Sequence, residues 1–300
     1  MRHLERKSVN TVVAVGNFDG VHIGHVRVIK TAAEYASEHS CRTVAMTFTP
    51  HPRVFFGKIS GPFRITSDEE KKSLLLSAGA DEVVFHPFDA DFAAKTATQF
   101  LEELKTCYNC KAVVCGENFR FGSEGRYDVK ILREVATHFG IDVIAVKMEE
   151  SSSTKIRLAL GKGNVRSAWQ MLGRPFSVCG KVVHGKHIGT SIGFPTVNTQ
   201  PSEQSALLAF GVYATKVECG GRFYTGLTNV GVRPTVDFSV YPEVSVETFL
   251  LDTKEDLYGE NARIMFLERI RDERRFDSMA ALAAQISADC DFVRQKYPEK

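Results

Sequence analysis

His22 and His25 stand three residues apart at the end of Gly16-Asn17-Phe18-Asp19-Gly20-Val21-His22-Ile23-Gly24-His25. Imidazole N–H groups at that spacing can donate to phosphate oxygens if a helix starts there. Gly16, Gly20 and Gly24 let the backbone approach a ligand closely. The residues before the stretch, Thr11-Val12-Val13-Ala14-Val15, are a short apolar run that reads as a buried strand. Residues 26–40 read as a helix, with Ile29, Ala33 and Ala36 on one face. The stretch is therefore a strand-to-helix turn, where free N–H groups and the positive end of the helix dipole attract phosphate. Gly16, Asn17, Phe18, His22, Gly24 and His25 are the candidate phosphate and nucleotide contacts. The plainer alternative is a Gly-rich turn with polar surface histidines.

Three further stretches carry chemistry in the first half. Ser151-Ser152-Ser153-Thr154-Lys155-Ile156-Arg157 offers hydroxyls that can cap a helix, and cations that can bind phosphate at its start. Ser152, Thr154 and Arg157 are its candidates. Gly116-Glu117-Asn118-Phe119-Arg120-Phe121-Gly122 mixes two aromatics, an arginine and an amide, which suits a flat heteroaromatic ring beside a phosphate. Phe48 opens the third stretch, where Thr49-Pro50-His51-Pro52 must leave the sheet at once.

The elements that must hold these groups alternate. Strands are predicted over 43–48, 82–85, 112–115 and 141–146, after the first at 11–15. Helices are predicted from Ser67, over 93–104, and over 128–139 with Gly140 as its stop. That order predicts a Rossmann-like, doubly wound parallel sheet, whose strand-following loops share one edge. From Phe176 the texture changes to short β-rich runs at 176–183, 211–218, 222–230, 244–251 and 262–269, separated by Gly and Pro turns. These predict a small antiparallel barrel. A last helix follows over 278–297, with Met279, Leu282, Ile286, Cys290 and Val293 on one face. The domains are expected at 1–173 and 174–300.

In the second half, Gly180-Lys181-Val182-Val183-His184-Gly185-Lys186-His187 nearly matches a P-loop. His187 stands where Ser or Thr should be, and Pro195 forbids a long helix after it, so that reading fails. Gly193-Phe194-Pro195-Thr196-Val197-Asn198 is the better phosphate candidate. Thr196 and Asn198 share a side if the segment is extended, and both are hard ligands for a Mg²⁺ carried by a nucleotide. Glu247 lies between Val246 and Thr248 and faces away from both. A carboxylate facing a barrel interior costs energy unless it has a task or partner, and the alternative is a solvent-facing Glu.

The totals set bounds. Three hundred residues suit two domains, and 43 % hydrophobic residues suffice for packed cores. A net charge of +2 does not argue for nucleic acid, which normally needs a clustered basic face. No run of 18 apolar residues predicts a membrane span, and the N-terminal residues lack an apolar signal region. Both favour the cytoplasm. Cys107-Tyr108-Asn109-Cys110 has metal spacing but no second pair, so reduced thiols are expected.

The ten-residue histidine stretch resembles the nucleotide-binding signature of nucleotidyltransferases, in the form found in bacterial bifunctional riboflavin kinase/FAD synthetases. Ser152 to Arg157 resembles the same family's second phosphate motif. The kinase half of that family is resembled by Gly-Phe-Pro-Thr-x-Asn, Gly-Val-Tyr-Ala, Asn229-Val230-Gly231-Val232-Arg233-Pro234-Thr235, Asp256-Leu257-Tyr258-Gly259, and Arg271-Asp272-Glu273 with Phe276. The likeness spans nearly the whole chain, in order.

The resemblance implies two ATP-dependent reactions, riboflavin to FMN and FMN to FAD, with Mg²⁺ and flavins as substrates and products. It implies Glu247 as general base of the kinase, Thr196 and Asn198 as metal ligands, and Gly193, Pro195 and Arg233 as ATP or flavin contacts. In the adenylyltransferase it implies His22, His25, Ser152, Thr154 and Arg157 on the phosphates. Phe48, Asn118, Phe119 and Phe121 would bind the flavin. No nucleic acid, membrane or obligate protein partner is expected. Thr190, Phe249 and Asn118 depart from the family pattern. The first two lie in the kinase half, so an adenylyltransferase with an inactive, flavin-binding kinase half is the alternative. Lys186 is the expected substitute for the missing charge at Thr190.

Overall fold

The computed structural model describes residues 9–298 except 60, 123, 124, 149, 150, 184–195, 200–204, 207, 233–243, 254 and 256. It divides into two compact units, one of Met1–Ser60 with Thr66–Ser153, the other of Gly61–Ile65 with Thr154–Lys300.

The strands are β1 (Thr11–Val15), β2 (Arg42–Thr49), β3 (Glu82–Pro87), β4 (Cys110–Gly116), β5 (Arg120–Phe121), β6 (Tyr127–Asp128), β7 (Asp142–Val146), β8 (Phe176–Val183), β9 (Thr196–Thr199), β10 (Gly211–Cys219), β11 (Arg222–Val232), β12 (Val244–Leu250) and β13 (Asn261–Arg271). The helices are α1 (Ile23–Glu38), α2 (Pro52–Phe55), α3 (Asp68–Ser77), α4 (Ala90–Ala94), α5 (Ala97–Tyr108), α6 (Val129–Ala136), α7 (Ser153–Gly161), α8 (Val165–Leu172) and α9 (Met279–Lys296).

In the first unit a parallel sheet has the order β3-β2-β1-β4-β7. Every residue of β1 is buried, as a central strand covered on both faces requires. Val12 and Ala14 pack under α1 and α3 with Ile29, Ala32 and Leu75. Val13 and Val15 point the other way and pack under α5 and α6 with Leu101, Leu104 and Leu132. The sheet is thus doubly wound, as the alternation predicted. Strand order reverses between β1 and β4, so the loops after these two strands flank the crevice where such sheets bind ligands.

Local chemistry sets the helix limits. Ser67 caps α3 by accepting from the Glu70 N–H at 3.1 Å. The single helix expected over 93–104 is instead two. Thr96 forms a capping box with Gln99 and restarts the chain as α5, ending α4 at Ala94. α6 tightens into a short 3₁₀ turn over Thr137–Phe139 and stops at Gly140, whose φ is +60°. On α1 the buried position is Ala32 rather than Ala33. Cys110 and Cys115 are buried in β4, and burial pushes both thiols up to about 12; all seven cysteines are free.

In the second unit six strands close an antiparallel barrel in the order β10-β11-β12-β9-β8-β13. Its interior holds Phe176, Val178, Val217, Val230, Val246, Ile264 and Phe266, and α7 and α8 add Ile156, Leu160, Val165 and Leu172 to the same core. Three interior threonines form a hydroxyl chain. Thr228 Oγ1 lies 2.8 Å from Thr215 Oγ1 and 2.8 Å from Thr248 Oγ1, all fully buried. Against the outer face α9 packs Cys290 and Val293 on Val212, Ala214 and Leu227. Met279 is half exposed, so only the later turns of the predicted helix face are buried.

Candidate functional site

The loop after β1 is held by three hydrogen bonds, two to β2 and one to Thr66. The Gly16 N–H donates to the Met46 carbonyl at 3.1 Å, and the Thr47 hydroxyl donates to the Asn17 carbonyl at 2.9 Å. The Gly20 N–H donates to Thr66 Oγ1 at 3.2 Å. Within it Phe18 and Val21 have φ of +48° and +38°. A β-branched residue in the left-handed region is strained, and only a rigid surround keeps it there. Both side chains are 1 % exposed, which supplies that surround.

The loop delivers His22 as the N-cap of α1. Its Nδ1 accepts from the His25 N–H at 3.4 Å, which leaves Nε2 as its donor. The two imidazoles stack with centroids 3.6 Å apart, and Phe18 meets His25 edge-on at 5.3 Å. His22 is 2 % exposed, while His25 is half-buried. A Cβ at Gly24 would stand 3.1 Å from His22 Cε1 and 3.0 Å from Met148 Cε. A Cβ at Gly116, on the other flank of the crevice, would stand 3.0 Å from Met148 Sδ. Met148 therefore lies against both the first turn of α1 and the end of β4.

The serine run meets the histidine loop through residues the spacing did not single out. Ser151 Oγ lies 3.5 Å from His22 Nδ1, and Ser153 donates to the Asp19 carbonyl at 2.8 Å. Ser152 is half-buried between them. Thr154 and Arg157 belong to the second compact unit. There the Arg157 guanidinium donates to Thr154 Oγ1 at 3.5 Å and lies 6.0 Å from the Phe63 ring.

Of the aromatic candidates, Phe119 and Phe121 stack on each other at 5.6 Å, and Phe121 also meets Phe100 and Tyr127. Asn118 is exposed beside them. Phe48 is 7 % exposed and joins Phe88 and Phe92. Phe88 in turn meets Phe55 and Phe56, which are 38 % and 46 % exposed. This open aromatic edge was missed in the sequence. Its trace there is the Phe-Phe pair just past the His-Pro turn.

In the barrel, pairing sets Asn198 of β9 directly opposite Glu247 of β12, and Glu247 opposite Asn229 of β11. Val246 and Thr248 face the interior, so Glu247 lies on the outer face, half-buried, and not in the barrel lumen. The interior site considered from alternation alone is thereby corrected. Thr196 occupies the register position opposite Phe249. Asn198 is 2 % exposed. A buried amide oxygen opposite a carboxylate is a hard donor set that fits Mg²⁺ arriving with a nucleotide. Lys186, His187, Thr190, Gly193, Pro195, Arg233 and Asp256 lie outside the described residues.

Residues 4–159 match the family model described as FAD synthetase, and residues 172–297 match that described as riboflavin kinase. A bifunctional riboflavin kinase/FMN adenylyltransferase of Escherichia coli (strain K12) is 35 % identical over 93 % of this chain and 90 % of its own. One from Buchnera aphidicola subsp. Acyrthosiphon pisum is 33 % identical over 99 % and 96 %, and one from Bacillus subtilis (strain 168) is 33 % identical over 95 % and 92 %. A crystal structure described as a macrolide-efflux protein from Streptococcus pneumoniae shares 32 % identity and a TM-score of 0.87 over 96 % of each chain. Among the described residues no helix is long and apolar enough to cross a membrane.

Proposed function

The chain belongs to the bifunctional riboflavin kinase/FMN adenylyltransferase family, and from that premise we propose which of its residues carry each reaction. It is a transferase that phosphorylates riboflavin to FMN with ATP, then adenylylates FMN to FAD with release of pyrophosphate. Residues 1–173 serve the second reaction and residues 174–300 the first, in the cytoplasm.

In FMN synthesis the Glu247 carboxylate accepts the proton of the ribityl 5′-hydroxyl as that oxygen attacks the γ-phosphorus of ATP, and ADP leaves. Thr196 and Asn198 would hold Mg²⁺, which when bound supplies charge neutralisation on the phosphates. Gly193, Pro195 and Arg233 complete the nucleotide and flavin contacts. In FAD synthesis an FMN phosphate oxygen attacks the α-phosphorus of a second ATP. His22 and His25 donate to the oxygens where negative charge develops. Ser152, Thr154 and Arg157 are the further candidate phosphate contacts of this reaction. Gly16, Asn17, Phe18 and Gly24 form the loop that cradles the phosphates, and Phe48, Asn118, Phe119 and Phe121 hold the flavin.

The observation that carries this division is that the His22–His25 pair and the Asn198–Glu247 pair stand in different compact units. Supplying riboflavin with Mg-ATP, or FMN with Mg-ATP, and separating the flavins by chromatography tests it. Failure to form FMN from riboflavin would leave an adenylyltransferase with an inactive kinase half.

A further inference from the structure

Gly231 has no conformational reason to be glycine. Its φ lies outside the left-handed region, and a glycine inside a strand weakens it. What it provides is space. A Cβ there would lie 2.4 Å from Glu273 Oε1, 3.1 Å from its Cδ and 3.3 Å from its Oε2, so the carboxylate rests on the bare backbone of β11. In that position Glu273 Oε1 accepts from Asn229 Nδ2 at 3.0 Å. A carboxylate can only accept, which fixes the flip of the Asn229 amide and leaves its Oδ1 as an acceptor. Asn229 is the cross-strand partner of Glu247 on the same outer face. Directly opposed side chains of an antiparallel pair have Cβ atoms about 4.5–5.5 Å apart.

The chain leading to Glu273 is anchored through its neighbours. It follows β13 in the run Arg271-Asp272-Glu273. The Arg271 guanidinium pairs with Asp289 of α9 at 2.8 Å, and Asp289, 4 % exposed, receives Gln285 Nε2 on its other oxygen at 2.7 Å. Arg269 holds Asp272 at 2.7 Å. Two motifs far apart in the chain, Asn229 to Gly231 and Arg271 to Glu273, thus meet beside the candidate base.

We infer that Asn229, held in orientation by Glu273 over Gly231, is a further substrate-binding residue of the phosphoryl-transfer site, whose amide oxygen accepts a hydroxyl of the ribityl chain. Glu273 is the positioning residue. The inference rests on Glu247 as the base. An acceptor beside the base suits a polyol, which has several hydroxyls to donate and must present one of them to Glu247.

The full-length protein is assayed with riboflavin and Mg-ATP for FMN formation, and with FMN and Mg-ATP for FAD formation. Asn229→Ala and Glu273→Ala should each raise the KM for riboflavin roughly 3–10-fold, the worth of one hydrogen bond, and leave FAD formation and the thermal midpoint unchanged. The bond is solvent-exposed, so a merely structural role would move neither. Glu273→Gln should restore a near-normal KM, because the amide oxygen still accepts from Asn229. The double variant Asn229→Ala/Glu273→Ala should be no worse than either single change. Gly231→Ala should reproduce the Glu273→Ala KM by displacing the carboxylate, an independent route if another variant folds poorly. Unchanged KM values while Glu247→Gln abolishes FMN formation would overturn the inference and leave the base assignment standing. Glu273→Gln as defective as Glu273→Ala would also overturn it. Wild-type FMN formation by Glu247→Gln would instead remove the reading on which it rests.

Discussion

The imidazole of His22 lies flat against that of His25, 19° from parallel, at the first turn of α1. One ring is the helix cap and the other is three residues on, so the helix itself fixes their spacing. On the proposed reading, a phosphate at this turn would meet two imidazoles whose spacing the helix has already set.

Removing one of these donors should be felt in one reaction only. His25→Ala is expected to lower FAD formation from FMN by roughly 10²–10³-fold, the usual loss for one oxyanion donor, with FMN formation intact. Gly24→Ala should act in the same direction, because its methyl presses on His22. Loss of both activities in a folded His25→Ala protein would show that the sites are not independent.

Glu247→Gln keeps the shape of the base without its basicity. FMN formation should fall about 10²–10⁴-fold while FAD formation from supplied FMN is unchanged. Steady-state rates on each substrate check this, and an undiminished kinase rate would remove Glu247 from the role.

The buried hydroxyl chain predicts a stability effect without chemistry. Thr228→Val preserves shape but leaves Thr215 and Thr248 each short of a partner, a loss of about 1–3 kcal/mol in denaturant unfolding. Gly226→Ala should destabilise as well, since its Cβ would stand 2.8 Å from Thr215 Oγ1 and Thr248 Cγ2. A Thr228→Val protein as stable as its parent would mean the hydroxyls satisfy one another in another arrangement.

His86 gives a pH dependence in the first unit. Its hydrogen bond from Nε2 to Glu103, 3.1 Å, raises its pKa above the ordinary 6.5. The same bond, with that from Lys95, holds Glu103 below its ordinary 4.5. The raised His86 contributes stability that is fully present below about 6.5 and is lost as pH rises through its folded value. The lowered Glu103 contributes above about 4.5, and that part is lost as pH falls through its folded value. The stability difference between the parent and His86→Gln should therefore be largest between about pH 4.5 and 6.5 and shrink on the alkaline side. Thermal unfolding across pH checks it, and a difference that grows towards alkaline pH would reverse the sign.

Much of the first unit was legible because a parallel sheet writes itself as apolar runs separated by helical periods. The turn at residues 16–25 stood out because glycine and histidine are rare together at a helix start. The break at Lys95 and Thr96 was hidden, since Thr96 is as ordinary inside a helix pattern as at its cap until Gln99 is seen to answer it. Ser151 and Ser153 were passed over for Ser152 because a run of identical residues carries no phase. The outer-face position of Glu247 could not be fixed by alternation alone, which gives two sides without saying which is inside. Glu273 stood in a recognised motif, but its pairing was hidden for a different reason. Its partner Asn229 is 44 residues away, and only the closed barrel brings them together.

The strand β9 is four residues long and lies between β12 and β8. Two of those residues, Thr196 and Asn198, are the proposed metal ligands, so on that proposal the segment that closes the barrel would also be the one that grips the nucleotide. Were β9 to detach, β12 and β8 would each present a row of unpaired N–H and C=O groups, the usual template for strand-to-strand association. Damage to this segment would then announce itself first as self-association, before any rate is measured. An inactive variant that stays monodisperse has kept its seam shut and lost only its grip.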